Sequence, residues 1–110
     1  MRSDKERLLD ILQSIAAIEK YTKRGRSFFY KNELVQSWVM RHLEIIGEAA
    51  SGSSEGLRDR NPGIPWRNII GMRNVLAHGY FEIDTDTVWK VVENDLNSLK
   101  KSVKKILKDT

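Results

Sequence analysis

Cysteine is absent from the 110 residues, so neither a disulfide nor a thiolate metal site is available, and thiols say nothing about the redox compartment. No apolar run approaches the roughly 18 residues of a membrane span. The opening Met1-Arg2-Ser3-Asp4-Lys5-Glu6 lacks the apolar core of a signal peptide. A soluble, cytoplasmic protein with no membrane partner is the expectation. No alternating apolar pattern suggests strands, and no internal repeat is visible. No cluster of Asp, Glu and His has the character of a Mg²⁺ or Zn²⁺ centre, so no metal and no cofactor are expected. Nor does one sign of charge dominate: 19 Lys and Arg against 15 Asp and Glu give a net +4. That mild excess permits an RNA or nucleotide partner without demanding one.

What is present reads as helix. The length suits one domain, residues 1–110, with a single apolar core. Ser3 followed by Glu6 forms a capping-box pattern, and Leu8, Leu9, Leu12, Ile15, Ala16 and Ile18 make the stripe of a first helix ending near Gly25. A second helix begins after Lys31 with Asn32 as its cap. It carries Leu34, Val35, Trp38, Val39, His42, Ile45, Ile46 and Ala49, and its interior Gly47 suggests close helix approach. Ser51 to Pro65 reads as a polar connection containing both prolines. A third helix opens near Pro65 or Trp66 and stops at Gly79. Asp84 or Thr85 caps a fourth, whose buried face runs Val88, Val91, Val92, Asp95, Leu96, Leu99, Val103, Ile106 and Leu107. The fold class is all-α, an antiparallel up-and-down four-helix bundle with an additional short helix.

The chemistry is concentrated in Arg73-Asn74-Val75-Leu76-Ala77-His78-Gly79-Tyr80. A guanidinium suits a phosphate, and histidine loses and regains a proton near neutrality, so Arg73 and His78 suggest phosphate chemistry without a metal. Residues five apart on a straight helix point about 140° away from each other, while residues four apart are separated by about 40°. Asn74 and His78 therefore share a face. Arg73 and His78 converge only if the helix loosens near Gly79 or another chain completes the site. On residue types alone, Arg73, Asn74 and His78 also suit a satisfied polar network fastening the third helix to the second, and Tyr80 suits an amphipathic surface aromatic.

The same residues carry a resemblance to a known family. Arg73, His78 and Tyr80 resemble the R-x4-H-x-Y signature of HepT-like toxins, a branch of the HEPN superfamily. Leu43-Glu44-Ile45-Ile46-Gly47-Glu48-Ala49-Ala50 and Pro62-Gly63-Ile64-Pro65-Trp66-Arg67 are similar to that family's second-helix and pre-site segments. The likeness covers most of residues 4 to 108. Ser51 to Glu55 departs from it with a small polar run where family members often continue the helix.

The resemblance implies a HEPN-like bundle that forms a homodimer, with the motifs facing one cleft. It implies the ribonuclease toxin of a type VII toxin-antitoxin pair, acting on tRNA or mRNA without a metal. The ribose 2′-OH would attack the adjacent phosphate. His78 would serve as general base or acid, a role typically contributing ~10²–10⁴-fold in rate. At a helix C-terminus its imidazolium form is favoured. Arg73 would hold the phosphate, with Asn74 as orienter. Tyr80 matches the tyrosine to which an MNT-type nucleotidyltransferase antitoxin transfers adenylyl groups from ATP, placing bulk and negative charge beside Arg73 and His78. The alternative is a non-catalytic nucleotide- or substrate-binding subunit of a nucleotidyltransferase, using the same phosphate-binding residues.

Other polar and aromatic residues read as structural. His42 lies in an apolar stripe and suits half-buried packing. Glu44 and Glu48 suit pairing with Arg73 or other basic groups. The run Lys23, Arg24, Arg26, Phe28, Phe29, Tyr30, Lys31 could track RNA, but solvated cations with aromatics stapling a loop is the stronger reading. Lys100, Lys101, Lys104, Lys105 and Lys108 read as a solvated face, and Trp38, Trp66 and Trp89 as core or dimer-interface residues.

Overall fold

The computed structural model of the chain describes residues 2–71 and 84–109. These residues form helices and no strand: α1 (Asp4–Thr22), α2 (Arg26–Lys31), α3 (Glu33–Gly52), α4 (Glu55–Arg60), α5 (helical over 66–71), α6 (Thr85–Asn94) and α7 (Leu96–Lys108). The all-α bundle expected from the periodicity is present.

The capping box at the start of α1 forms in both directions. The Glu6 amide donates to Ser3 Oγ at 3.1 Å, and the Ser3 amide donates to Glu6 Oε1 at 3.0 Å. Such a cap stabilises a helix by about 1 kcal/mol. At the other end the buried Thr22 hydroxyl donates to the Ile18 carbonyl at 3.0 Å, and the chain turns at Gly25, whose φ of +100° is costly for any residue with a side chain. Asn32 caps α3 as expected, its Oδ1 accepting from the Val35 amide at 3.2 Å.

Helices α1 and α3 form the principal pair and run antiparallel. Asp4 meets Ser54, Ser14 meets His42, and Ala17 meets Trp38, so positions rise along one helix as they fall along the other. Between them lie Ile11, Ile15, Ile18, Val39, Leu43 and Ile46, all essentially inaccessible, with Val103 of α7 and Phe29 of α2 closing the core. Burying each such side chain is worth about 1.5–3 kcal/mol. At the Asp4 end the Arg7 guanidinium lies against Gly52. A Cβ there would stand 2.2 Å from Arg7 Cζ, so the missing side chain makes room for the cation. The buried Arg7 Nε has no hydrogen-bond partner among the described residues.

Several expectations are corrected. The expectation allowed one additional short helix without locating it; the structure has two, α2 and α4, and six residues are too few to display a helical period. Helix α4 lies inside the connection expected over Ser51 to Pro65, with Ser54 Oγ accepting from the Leu57 amide at 3.1 Å as its cap. The fourth expected helix is divided at Asp95, where φ and ψ are −108° and −34°. Asn94 and Asp95 both favour helix ends over interiors. Asp95 is exposed rather than buried. Leu9, Ala16 and Leu34 were placed on buried stripes but are exposed, Leu34 to 83%, while Ile11 is buried in the α1 seam.

Candidate active site

Arg73, Asn74, His78 and Tyr80 lie within 72–83, outside the described residues. Their frame on either side is described. Before them, Trp66 opens α5 with its ring buried and its Nε1 donating to the Asn61 carbonyl at 2.9 Å, and Ile69 is buried one turn later. After them, Asp84 caps α6. Its Oδ1 accepts from the Thr87 amide at 3.1 Å and its Oδ2 from the Thr87 hydroxyl at 2.7 Å. These bonds to the ionised form, the hydroxyl's first, hold the Asp84 carboxyl below its ordinary range.

Helix α6 is fastened to α2 by aromatic packing and one hydrogen bond. The Trp89 ring lies 5.2 Å from that of Phe29, and the Tyr30 hydroxyl donates to Asp86 Oδ1. Donation to a carboxylate favours the neutral phenol, so the Tyr30 pKa is raised, chiefly by this bond. Helix α2 is in turn held by α3, because Gln36 Nε2 donates to the carbonyls of Phe29 at 2.9 Å and Tyr30 at 3.2 Å. The aromatic run at 28–30 thus fastens a short helix to the bundle, where a stapled loop was expected. Arg24 stacks at 3.9 Å over Phe28.

The remaining candidates behave structurally. His42 Nδ1 is 3.1 Å from the hydroxyl of buried Ser14, and its ring centre is 4.6 Å from that of Trp38. Burial, then the neighbouring Arg41, lowers its pKa. Glu44 pairs with Arg41 at 3.3 Å, and Glu48 is exposed. Any pairing of either with Arg73 falls outside the described residues. Trp66 and Trp89 are core, whereas Trp38 is 40% exposed beside Leu34, with its Nε1 donating to the Ala17 carbonyl at 2.8 Å. Lys101, Lys104, Lys105 and Lys108 are exposed as expected, while Lys100 pairs with Glu19 at 3.0 Å. Among the described residues no group of three His, Asp or Glu could hold a metal, and no helix is long and apolar enough to cross a membrane. The long-range fastening of Tyr30 to Asp86 has no local signal in the sequence.

Comparison with known proteins shows the family of the chain. The family model described as ribonuclease HepT-like matches residues 11–106. A Methanocaldococcus jannaschii protein provisionally named an RNase is 39% identical over 103 residues, covering 93% of this chain and 94% of that protein. A Thermococcus cleftensis protein named "Probable ribonuclease HepT" is 39% identical over 108 residues, covering 97% and 98%. A longer M. jannaschii protein, whose name joins a gamma-glutamylcyclotransferase to a provisional RNase, is 37% identical over 111 residues. That match spans 99% of this chain and 50% of the relative. No solved structure matches. The motif lies inside the matched span, and the chain belongs to the ribonuclease HepT-like family.

Proposed function

We propose that the protein is an RNA endonuclease that needs no metal, the toxin of a type VII toxin-antitoxin pair, with Arg73 and His78 as its catalytic residues. The observation that carries this reading is the order Arg73, His78, Tyr80 inside the span matched by the family. One His78 imidazole takes the proton of a ribose 2′-OH as O2′ bonds to phosphorus. The bond from phosphorus to O5′ breaks, and the leaving oxygen receives a proton from an imidazolium. Arg73 pairs with the phosphate oxygens as their charge grows, and Asn74 orients His78 or the phosphate.

Two copies of the chain face their motifs into one cleft, which brings Arg73 and His78 together despite their five-residue spacing. Exposed Leu34 and Trp38 are apolar groups available for such an association. Tyr80 is the acceptor for adenylyl groups transferred from ATP by a partner nucleotidyltransferase antitoxin of the MNT type. The added phosphate competes with RNA for Arg73.

The test is cleavage of total tRNA by purified protein in EDTA, comparing the parent with His78→Ala and Arg73→Ala, each checked for helicity. Cleavage by the parent alone is expected. If none of the three cleaves and the parent binds ATP tightly, the protein is instead a nucleotide-binding subunit of the transferase.

A further inference from the structure

A groove of about 480 Å³ runs between α4, with the turn that follows it, and the C-terminal half of α7. Leu57, Ile64 and Ile106 give it apolar walls, while Arg60 from one side and Lys105 from the other bring cations to it. Asp109 is the one acid among its described lining residues. Through Gly63, Ile64 and Ser102 the groove shares its lining with a second hollow of about 130 Å³, which reaches Ile69 of α5 and the joint between α6 and α7. Ile69 stands only four residues before Arg73 in the chain.

Most of the charge around this groove is unspent, although Arg60 also acts on the Asp4 carboxylate and helps to lower its pKa. Lys101, Lys104, Lys105 and Lys108 are exposed on α7, and Arg60 is exposed at the end of α4. None of these side chains enters an ion pair with a described residue. Among the described residues, the ion pairs that do form use Arg2, Arg41 and Lys100 instead. A lysine run on one helix is ordinarily a solvated face. Here cations from two separate elements flank one concavity, where their mutual repulsion is relieved by an anion lying between them. A phosphodiester backbone supplies repeated negative charge along a groove, and its sugars and bases suit the apolar walls.

We infer that this groove binds the backbone of single-stranded RNA away from the cleaved bond, with Arg60 and Lys105 pairing with phosphates on either side. The inference rests on the ribonuclease reading. Arg60 and Lys105 are binding residues here and take no part in the proton transfers.

The test uses the full chain and a fluorescent single-stranded RNA methylated at every 2′ oxygen, so that binding is read without cleavage. Arg60→Gln combined with Lys105→Gln is compared with Lys5→Gln combined with Lys31→Gln, which removes the same charge from other exposed positions. The groove pair is expected to weaken binding about tenfold at about 0.15 M salt and to reduce the salt slope by about 1.4, the loss of two phosphate contacts. The control pair should change affinity less than about twofold. On cleavable RNA the groove pair should raise KM and leave kcat near that of the parent.

Equal weakening by both pairs would mean that RNA follows net charge and would overturn the groove. Unchanged binding by the groove pair, with a parent that still cleaves, would overturn the groove alone and leave the ribonuclease reading standing. A parent that neither binds nor cleaves RNA would overturn both.

Discussion

His42 and His78 are the only two histidines of the chain, each close to an arginine in sequence, yet they belong to regions built on different terms. His42 sits in the α1–α3 pair, where a serine hydroxyl is the hydrogen-bond partner of its Nδ1, a tryptophan packs against its ring and burial disfavours its charge. That region gives His42 its partners from within. His78 belongs to the segment bracketed by α5 and α6, where the fixed points are Trp66 on one side and the Asp84 cap with Trp89 on the other. The comparison teaches that a histidine's role is set by what its neighbours leave it to do. His42 has one ring nitrogen already partnered in the seam.

The comparison breaks most severely if the two regions respond alike to substitution. His78→Ala should lower tRNA cleavage by about 10²–10⁴-fold while far-UV circular dichroism keeps the helical signal. Leu43→Ala, in the α1–α3 seam, should do the reverse. It should cost about 2–5 kcal/mol in urea unfolding and leave the specific activity of the folded fraction near that of the parent. A large loss of stability in the first, or of activity without stability in the second, would dissolve the distinction. Ser3→Ala should cost about 1 kcal/mol by the same unfolding measurement, because it removes one arm of the capping box and the activity has no stake in it.

Proton linkage sharpens the contrast at smaller amplitude. The folded pKa of His42 lies below its ordinary value near 6.5, so the unfolded chain binds more protons in that window. Stability should be level above about pH 6.5 and decline below it. His42→Gln should flatten that decline when melting temperature is followed from neutral to mildly acidic buffer. Asp4, Glu6 and Asp84 have folded pKa values below their ordinary ones, so their contribution is present above about pH 4 and lost as pH falls through the folded values. The two groups therefore act in separate windows.

Much of the α1–α3 pair was legible in the sequence because its signals are local. Ser3 with Glu6 and the single Asn32 each act within one turn of where they stand, and Val35, Val39 and Ile46 recur at helical spacing. The spacing alone did not set the width of the buried stripe, which is why Leu34 and Ala16 were placed inside it. Helices of six residues, and the break at Asp95, left no periodic trace. The Arg73, Asn74, His78, Tyr80 cluster was legible as a family pattern, while its geometry lies outside the described residues. The groove between α4 and α7 depends on two elements brought together by folding, and no spacing along the chain announces it.

Asp4 meets Ser54 just past the end of α3, while Ser14 with His42 and Ala17 with Trp38 join the two helices at points one turn apart farther along. Sliding one helix against the other by a single turn would break all three together and drive Arg7 away from the space left by Gly52. Shear, the small sliding by which packed helices often adjust, is thereby denied to this pair.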